Sequence, residues 1–203
     1  MKKLTIGVVG AGIYGNYHIH TYCCDKNVER VVFCDLNEER RIATADKYQI
    51  TGYKTVKEMI AQEQLDAISI ATPDPYHFEP AKDAMEAGIK YLFIEKPLAT
   101  SVKECEELIA LAEKHGVKIS VDFHKRWDPA YNAIRDEIKK DEDTFIRGYM
   151  ALDDIIDVPR KWFTWTDKSS PAWFLGVHCY DLIRYITDSE VEKVYAVGNK
   201  EVL

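Results

Sequence analysis

No stretch of 18 apolar residues occurs anywhere in this 203-residue sequence, so no segment reads as a membrane-spanning helix. Basic runs are missing too. With a net charge of −7 and no interleaving of aromatic and basic residues, the chain presents no general surface for nucleic acid or an anionic membrane. The five cysteines lack metal-ligand spacing: Cys23 and Cys24 are adjacent, while Cys34, Cys105 and Cys179 are scattered. They read as reduced thiols of a cytosolic protein, and no metal site is assigned. Repeats and low-complexity segments are also lacking. The opening MKKLTIGVVGAG sets two lysines before an apolar run, as a signal peptide does, but Gly7, Gly10 and Gly12 break that run. A cytoplasmic location is the expectation.

What remains is ordinary globular material. Hydrophobic residues make up 46% and charged residues 30%, enough to bury a core in one large domain or one domain and part of another. LTIGVV (4–9), RVVFCD (30–35), AISIA (67–71), YLFIE (91–95) and VKISVDF (117–123) are apolar runs of strand length. Helical patterns separate them. One runs to about Cys24; Asn37 can cap a second, and Thr55 with Glu58 has capping-box spacing before a third. Residues 75–88 end at a glycine. Ser101 with Glu104 opens a helix whose apolar face is Val102, Cys105, Leu108, Ile109 and Ala112, stopped at His115-Gly116. Buried strands alternating with amphipathic helices predict a parallel sheet covered on both faces.

The character changes after Phe123. Trp127, Trp162, Trp165 and Trp173, all four tryptophans, lie beyond it. Residues 145–153 and 191–198 read as strands, with a helix near 177–187 between them. This second region reads as the unfinished start of a domain.

GAGIYG at 10–15 has the form G-x-G-x-x-G, after a strand and before a helix. Such a turn lets Gly10 bend sharply, Gly12 admit a pyrophosphate to backbone N–H groups, and Gly15 pack the helix against the strand. Ile13 and Tyr14 complete the candidate cofactor turn. Asp35 closes the second apolar run 20 residues after Gly15, where a carboxylate accepts hydrogen bonds from an adenosine ribose; the plainer reading is a helix-entry residue. S-adenosylmethionine proteins use similar turns. The later strand ends discriminate between them, because ligands of open α/β sheets bind there. ATPDPYH (71–77) and IEKP (94–97) end at the same rim, and Lys96, restricted by Pro97, is placed where a nicotinamide would lie. A solvated loop lysine is the ordinary alternative.

Together GAGIYG, the ATP-x-x-x-H pattern at 71–77, EKP at 95–97 and G-x-H-x-x-D at 176–181 resemble the glucose–fructose oxidoreductase, inositol 2-dehydrogenase and rhizopine-catabolism family (Gfo/Idh/MocA). The resemblance implies a Rossmann-type, doubly wound parallel sheet over residues 1–122. An α+β open-sheet domain for substrate and oligomer contacts would begin at 123 and remain incomplete at 203. It implies an NAD(P)-dependent dehydrogenase or reductase acting on a secondary alcohol of a sugar, inositol or related polyol, and a homo-oligomer in full-length form. Lys96 would hydrogen-bond the reacting oxygen and His178 exchange its proton. Thr72, Pro73, His77 and Glu95 would lie around the cofactor, with Lys96, His178 and Asp181 toward the substrate. Where many members carry an aspartate four residues before the histidine, this chain has Phe174.

His178 itself carries two readings. In AWFLGVHCYD it stands among bulky apolar side chains, where a histidine is ordinarily a core residue bonded to a neighbour such as Asp181. Alternatively, hydride transfer requires a proton to leave oxygen, and His178 is the group placed to take it. Asp181 can orient it, bind substrate or cap a helix. NAD is expected over NADP, because Asp35 repels a 2′-phosphate, although Arg40 and Arg41 stand close by. Against the dehydrogenase stand a dinucleotide-binding sensor or accessory protein without turnover, consistent with Phe174 and the short second region, and an enzyme of redox-assisted glycosidic cleavage with a tightly held cofactor.

Overall fold

The computed structural model describes residues 2–140 and 147–198. These described residues divide into two compact units, one of 2–122 with 154–174, the other of 123–140 and 147–153 with 175–198. The segment 154–174 therefore goes with the first unit rather than with the region after Phe123.

Six parallel strands form the first unit: β1 (Leu4–Val9), β2 (Val28–Cys34), β3 (Thr51–Tyr53), β4 (Ala67–Ile70), β5 (Tyr91–Glu95) and β6 (Lys118–Asp122). Their order is β3-β2-β1-β4-β5-β6. Successive residues of each strand point to opposite faces, so the apolar runs feed two cores. On β2, Val32 and Cys34 join Val9, Ile68, Ile70, Leu92 and Ile94 in the larger core, whereas Val31 and Phe33 join Val8 and Ile19 in the smaller one. The doubly wound sheet expected from the sequence is thus formed. β3 spans only three residues, too short a run to stand out in the sequence.

The caps follow the side chains available. Asn37 accepts from the Arg40 N–H and opens α2 (Glu38–Tyr48), Thr55 accepts from Glu58 before α3 (Val56–Gln62), and Ser101 accepts from Glu104 before α5 (Val102–His115). α5 closes at Gly116, whose φ of 63° lies in the left-handed region. α1 (Ile13–Cys24) begins at Gly12 with no capping side chain. The helix expected over 75–88 is a 3₁₀ turn at Asp74–Tyr76 followed by α4 (Phe78–Glu86), because Pro73 and Pro75 disfavour a continuous helical entry.

In the second unit, α6 (Pro129–Lys140) pairs with α7 (Val177–Thr187). The strands expected at 145–153 and 191–198 are not formed by the described residues 147–153 and 191–198; positions 145 and 146 lie outside the described residues. A strand exists only when its backbone groups pair with a neighbour, and neither segment has such a partner among the described residues.

Candidate active site

The strand order reverses between β1 and β4, and the glycine turn sits at that crevice. Gly10 leaves β1 with φ of 89°, and its N–H donates to the Cys34 carbonyl at 2.8 Å. A Cβ on Gly10 would come 2.7 Å from the Ala71 carbonyl oxygen, and one on Gly15 1.9 Å from that of Gly10. Neither position accepts a side chain without moving backbone. Gly12 differs: a Cβ there meets nothing nearer than the Arg40 guanidinium at 3.9 Å, which leaves room above the first turn of α1. With no capping side chain and no acidic residue in that turn, the first N–H groups of α1 fit a pyrophosphate. Ile13 and Tyr14 at this turn are both exposed.

Asp35 follows β2 as expected, but its carboxylate is already engaged. It accepts from the Ala11 N–H and the Asn37 N–H, each at 2.8 Å, and the Arg40 guanidinium lies 3.3 Å away. Arg41 donates to its backbone carbonyl at 2.8 Å. Asp35 thus braces the glycine turn from below, and Arg40 stands between it and the open ground over Gly12.

Around the later strand ends the expected residues separate. Thr72 donates through Oγ1 to the Tyr76 carbonyl at 2.9 Å. Pro73 is exposed. His77 is 0% exposed, its ring nitrogens 2.6 Å from the Pro97 carbonyl and 2.8 Å from that of Thr72. A neutral ring donates to only one of the two, and burial holds the imidazole below its ordinary pKa. Enclosed in this way, His77 joins the 71–77 and 94–97 loops. Glu95 likewise turns inward, where its carboxylate meets His18.

Lys96 is 7% exposed. Its Nζ donates to the Phe174 carbonyl at 2.9 Å and lies 4.3 Å from the centroid of the Phe174 ring. That ring meets Phe163 and Trp165 edge-on, and those two stack at 4.4 Å. Phe174, four residues before His178, therefore contacts the lysine through its carbonyl and its aromatic face. Beside them, Asp74 is buried and accepts from Ser169 at 3.0 Å; burial pushes its carboxyl above the ordinary value.

His178, on the first turn of α7, and Asp181, one turn further on, belong to the second unit, and both are buried. The His178 ring packs edge-on against His124 at 4.9 Å and against Phe123 at 6.3 Å. Asp181 accepts from Arg126 Nε at 2.8 Å and from Nη2 of the same guanidinium. A two-pronged pair of this kind is the strong form of the interaction, and it commits the Asp181 carboxylate to Arg126. Neither Arg126 nor His18 stands out in the sequence. Each is one polar residue whose partner lies more than 50 positions away.

The oxidoreductase family with an NAD-binding Rossmann fold, Gfo/Idh/MocA, matches residues 4–123. The chain belongs to this family. "Uncharacterized oxidoreductase YrbE" of Bacillus subtilis is 29% identical over 97% of the chain and 58% of its own length. An inositol 2-dehydrogenase/D-chiro-inositol 3-dehydrogenase of Halalkalibacterium halodurans is 28% identical, covering 94% of the chain and 55% of the relative. Among solved structures, myo-inositol 2-dehydrogenase from Lactobacillus plantarum superposes with a TM-score of 0.81 at 28% identity, over 92% of the chain and 57% of that protein. The chain thus spans a little over half the length of these Gfo/Idh/MocA relatives. No helix among the described residues is long and apolar enough to cross a membrane.

Proposed function

We propose that this chain carries the cofactor half and part of the substrate half of a cytoplasmic oxidoreductase. The enzyme transfers a hydride between NAD and a secondary alcohol of a sugar, inositol or related polyol, and works as a homo-oligomer. The observation that carries the reading is Lys96: a buried lysine immediately after β5, at the carboxyl ends of the strands, in the same rim as an uncapped helix start suited to a pyrophosphate. The relatives named for inositol oxidation support the substrate class.

The cofactor, when bound, supplies the hydride acceptor. The chain's own residues do the rest. The first N–H groups of α1 and the turn 10–15 hold phosphate, Asp35 braces that turn and meets the ribose, and Lys96 donates to the reacting oxygen. His178 moves the proton, working in a buried setting that excludes water. Asp181, held by Arg126, fixes the start of α7 and so orients His178. NAD is favoured over NADP by the Asp35 carboxylate, with Arg40 as the opposing feature.

One observation favours a second reading. Lys96 already donates to Phe174, as in a nucleotide-binding sensor whose lysine is structural. Dehydrogenase assays of the purified chain on a polyol and sugar panel, with NAD and NADP, separate the two. We expect turnover that falls by roughly 10²-fold or more in Lys96→Met and in His178→Asn, with NAD affinity retained. Unchanged turnover in either variant refutes the role given to that residue. NAD binding without turnover on any substrate favours the sensor.

A further inference from the structure

Beneath α1 lies a polar cluster that the cofactor turn, Lys96 and His178 leave unexplained. His18, one turn beyond Gly15, places Nδ1 2.7 Å from Ser69 Oγ on β4 and Nε2 3.1 Å from Glu95 Oε1 at the end of β5. Asp122 Oδ2 at the end of β6 is 3.7 Å from the same nitrogen. The three titratable side chains are 9%, 6% and 16% exposed. Tyr22, also on α1, donates to Ser69 Oγ at 3.3 Å, and the Phe93 ring packs on the imidazole at 5.5 Å. Tyr14 and Tyr22 complete the titratable surroundings. Burial raises both hydroxyls above their ordinary pKa, and the charges of Glu95 and Asp122 raise them further.

Two carboxylates this close and this enclosed are costly unless a cation stands between them. The imidazole is placed to be that cation, with both ring nitrogens directed at oxygens. We propose that His18 is a positioning residue: a buried imidazolium that ties together the carboxylates ending β5 and β6 and thereby holds Lys96, the next residue after Glu95, at its place in the rim. Burial works against the charged ring, but the hydrogen bonds it donates to Asp122 and Glu95, with their negative charges, outweigh it and carry His18 up to about 9. The clamp is closed at neutral pH and released in alkali. A divalent metal is the rival cation, since one ligand atom from each of the three residues lies within 4.8 Å of the others.

The functional part of this inference rests on Lys96 meeting substrate; the clamp itself does not. Imidazole nitrogen spectra of the whole chain, with the His18 signal assigned by His18→Gln, should show His18 doubly protonated through pH 8 and titrating near 9. Gln keeps an N–H toward Glu95 but carries no charge. Amide hydrogen exchange at Ile94, Glu95 and Lys96 should quicken roughly tenfold in His18→Gln, reporting a loosened strand end whatever the substrate. On any accepted polyol, kcat should fall roughly 10- to 100-fold with NAD affinity unchanged, and the loss of wild-type kcat near pH 9 should vanish in the variant. If His18→Gln does not fold, Ser69→Ala, which removes the acceptor shared by Nδ1 and the Tyr22 hydroxyl and leaves both carboxylates in place, should lower the titration midpoint and quicken the same exchange. A ring that titrates at or below 6.5 overturns the proposal, as does unaltered exchange at the end of β5. Displacement of the proton by micromolar Zn²⁺ or Mn²⁺ overturns it in favour of a metal site. A wild type with no turnover defeats the proposed enzyme, while titration and exchange still decide the clamp.

Discussion

Replacing His18 by glutamine should remove a pH-dependent component of stability whose size follows from its surroundings. In the unfolded chain the imidazole titrates at its ordinary 6.5, and in the folded protein at about 9. Below pH 6.5 both states hold the proton, so the stabilisation is fully present. Between 6.5 and 9 the folded state keeps a proton that the unfolded state releases, and stability falls as pH rises; above 9 the contribution is gone. At about 1.4 kcal/mol for each tenfold change in proton affinity, the difference is worth about 3 kcal/mol. The ring is 9% exposed, so solvent screening takes little of this away. For a chain of this length it corresponds to roughly 6–12 °C in Tm. Other groups act outside the window. His77, held low by burial, costs stability only as pH falls below 6.5, and Cys34, pushed up by burial to about 12, does so only above 9. Urea unfolding of wild type and His18→Gln at half-unit steps from pH 6 to 9.5 measures the difference. Wild-type stability should decline across the window while the variant stays nearly level. Parallel curves for the two proteins would refute the reasoning.

Other substitutions test the remaining parts of the structure. Gly15→Ala sets a Cβ 1.9 Å from the Gly10 carbonyl oxygen, so the turn must open; calorimetry should show NAD affinity down by at least roughly tenfold and a lower Tm. Unchanged values for both would mean that the turn is not held as described. Asp35→Ser removes the carboxylate and frees Arg40, and should shift preference toward NADP by about 1–3 kcal/mol, roughly 5- to 150-fold in relative affinity. A ratio unmoved by the change would separate Asp35 from cofactor choice. Leu108→Ala empties a fully buried site between α5 and the sheet and should cost about 2–5 kcal/mol in denaturant unfolding, with NAD affinity retained.

The alternation of apolar runs with capped helices determined five of the six strands of the first unit and the helices between them, because strand length, Asn37, Thr55, Ser101 and Gly116 act within a few residues of themselves. The spacing of GAGIYG and Asp35 was legible for the same reason. β3 and the addition of 154–174 to that unit were not legible there. Asp128 before Pro129 is a further local helix-start signal, and its carboxylate accepts from the Ala130 N–H at 2.8 Å to open α6. The strands read at 145–153 and 191–198 are not formed by the described residues 147–153 and 191–198, because apolar composition does not supply the partner that a strand needs.

Only the tertiary structure decided which polar side chains meet. His18 with Glu95 and Asp122, Arg126 with Asp181, and Lys96 with Phe174 are separated by 55 to 104 positions along the chain, and nothing in the sequence local to any of them names its partner. The same fold that brings the ends of β4, β5 and β6 under α1 turns Glu95 away from the rim and encloses His77. Sequence spacing gives the residues of a parallel sheet their order along each strand. Which groups share a buried space depends on the crossovers between strands, and those exist only once the sheet has formed.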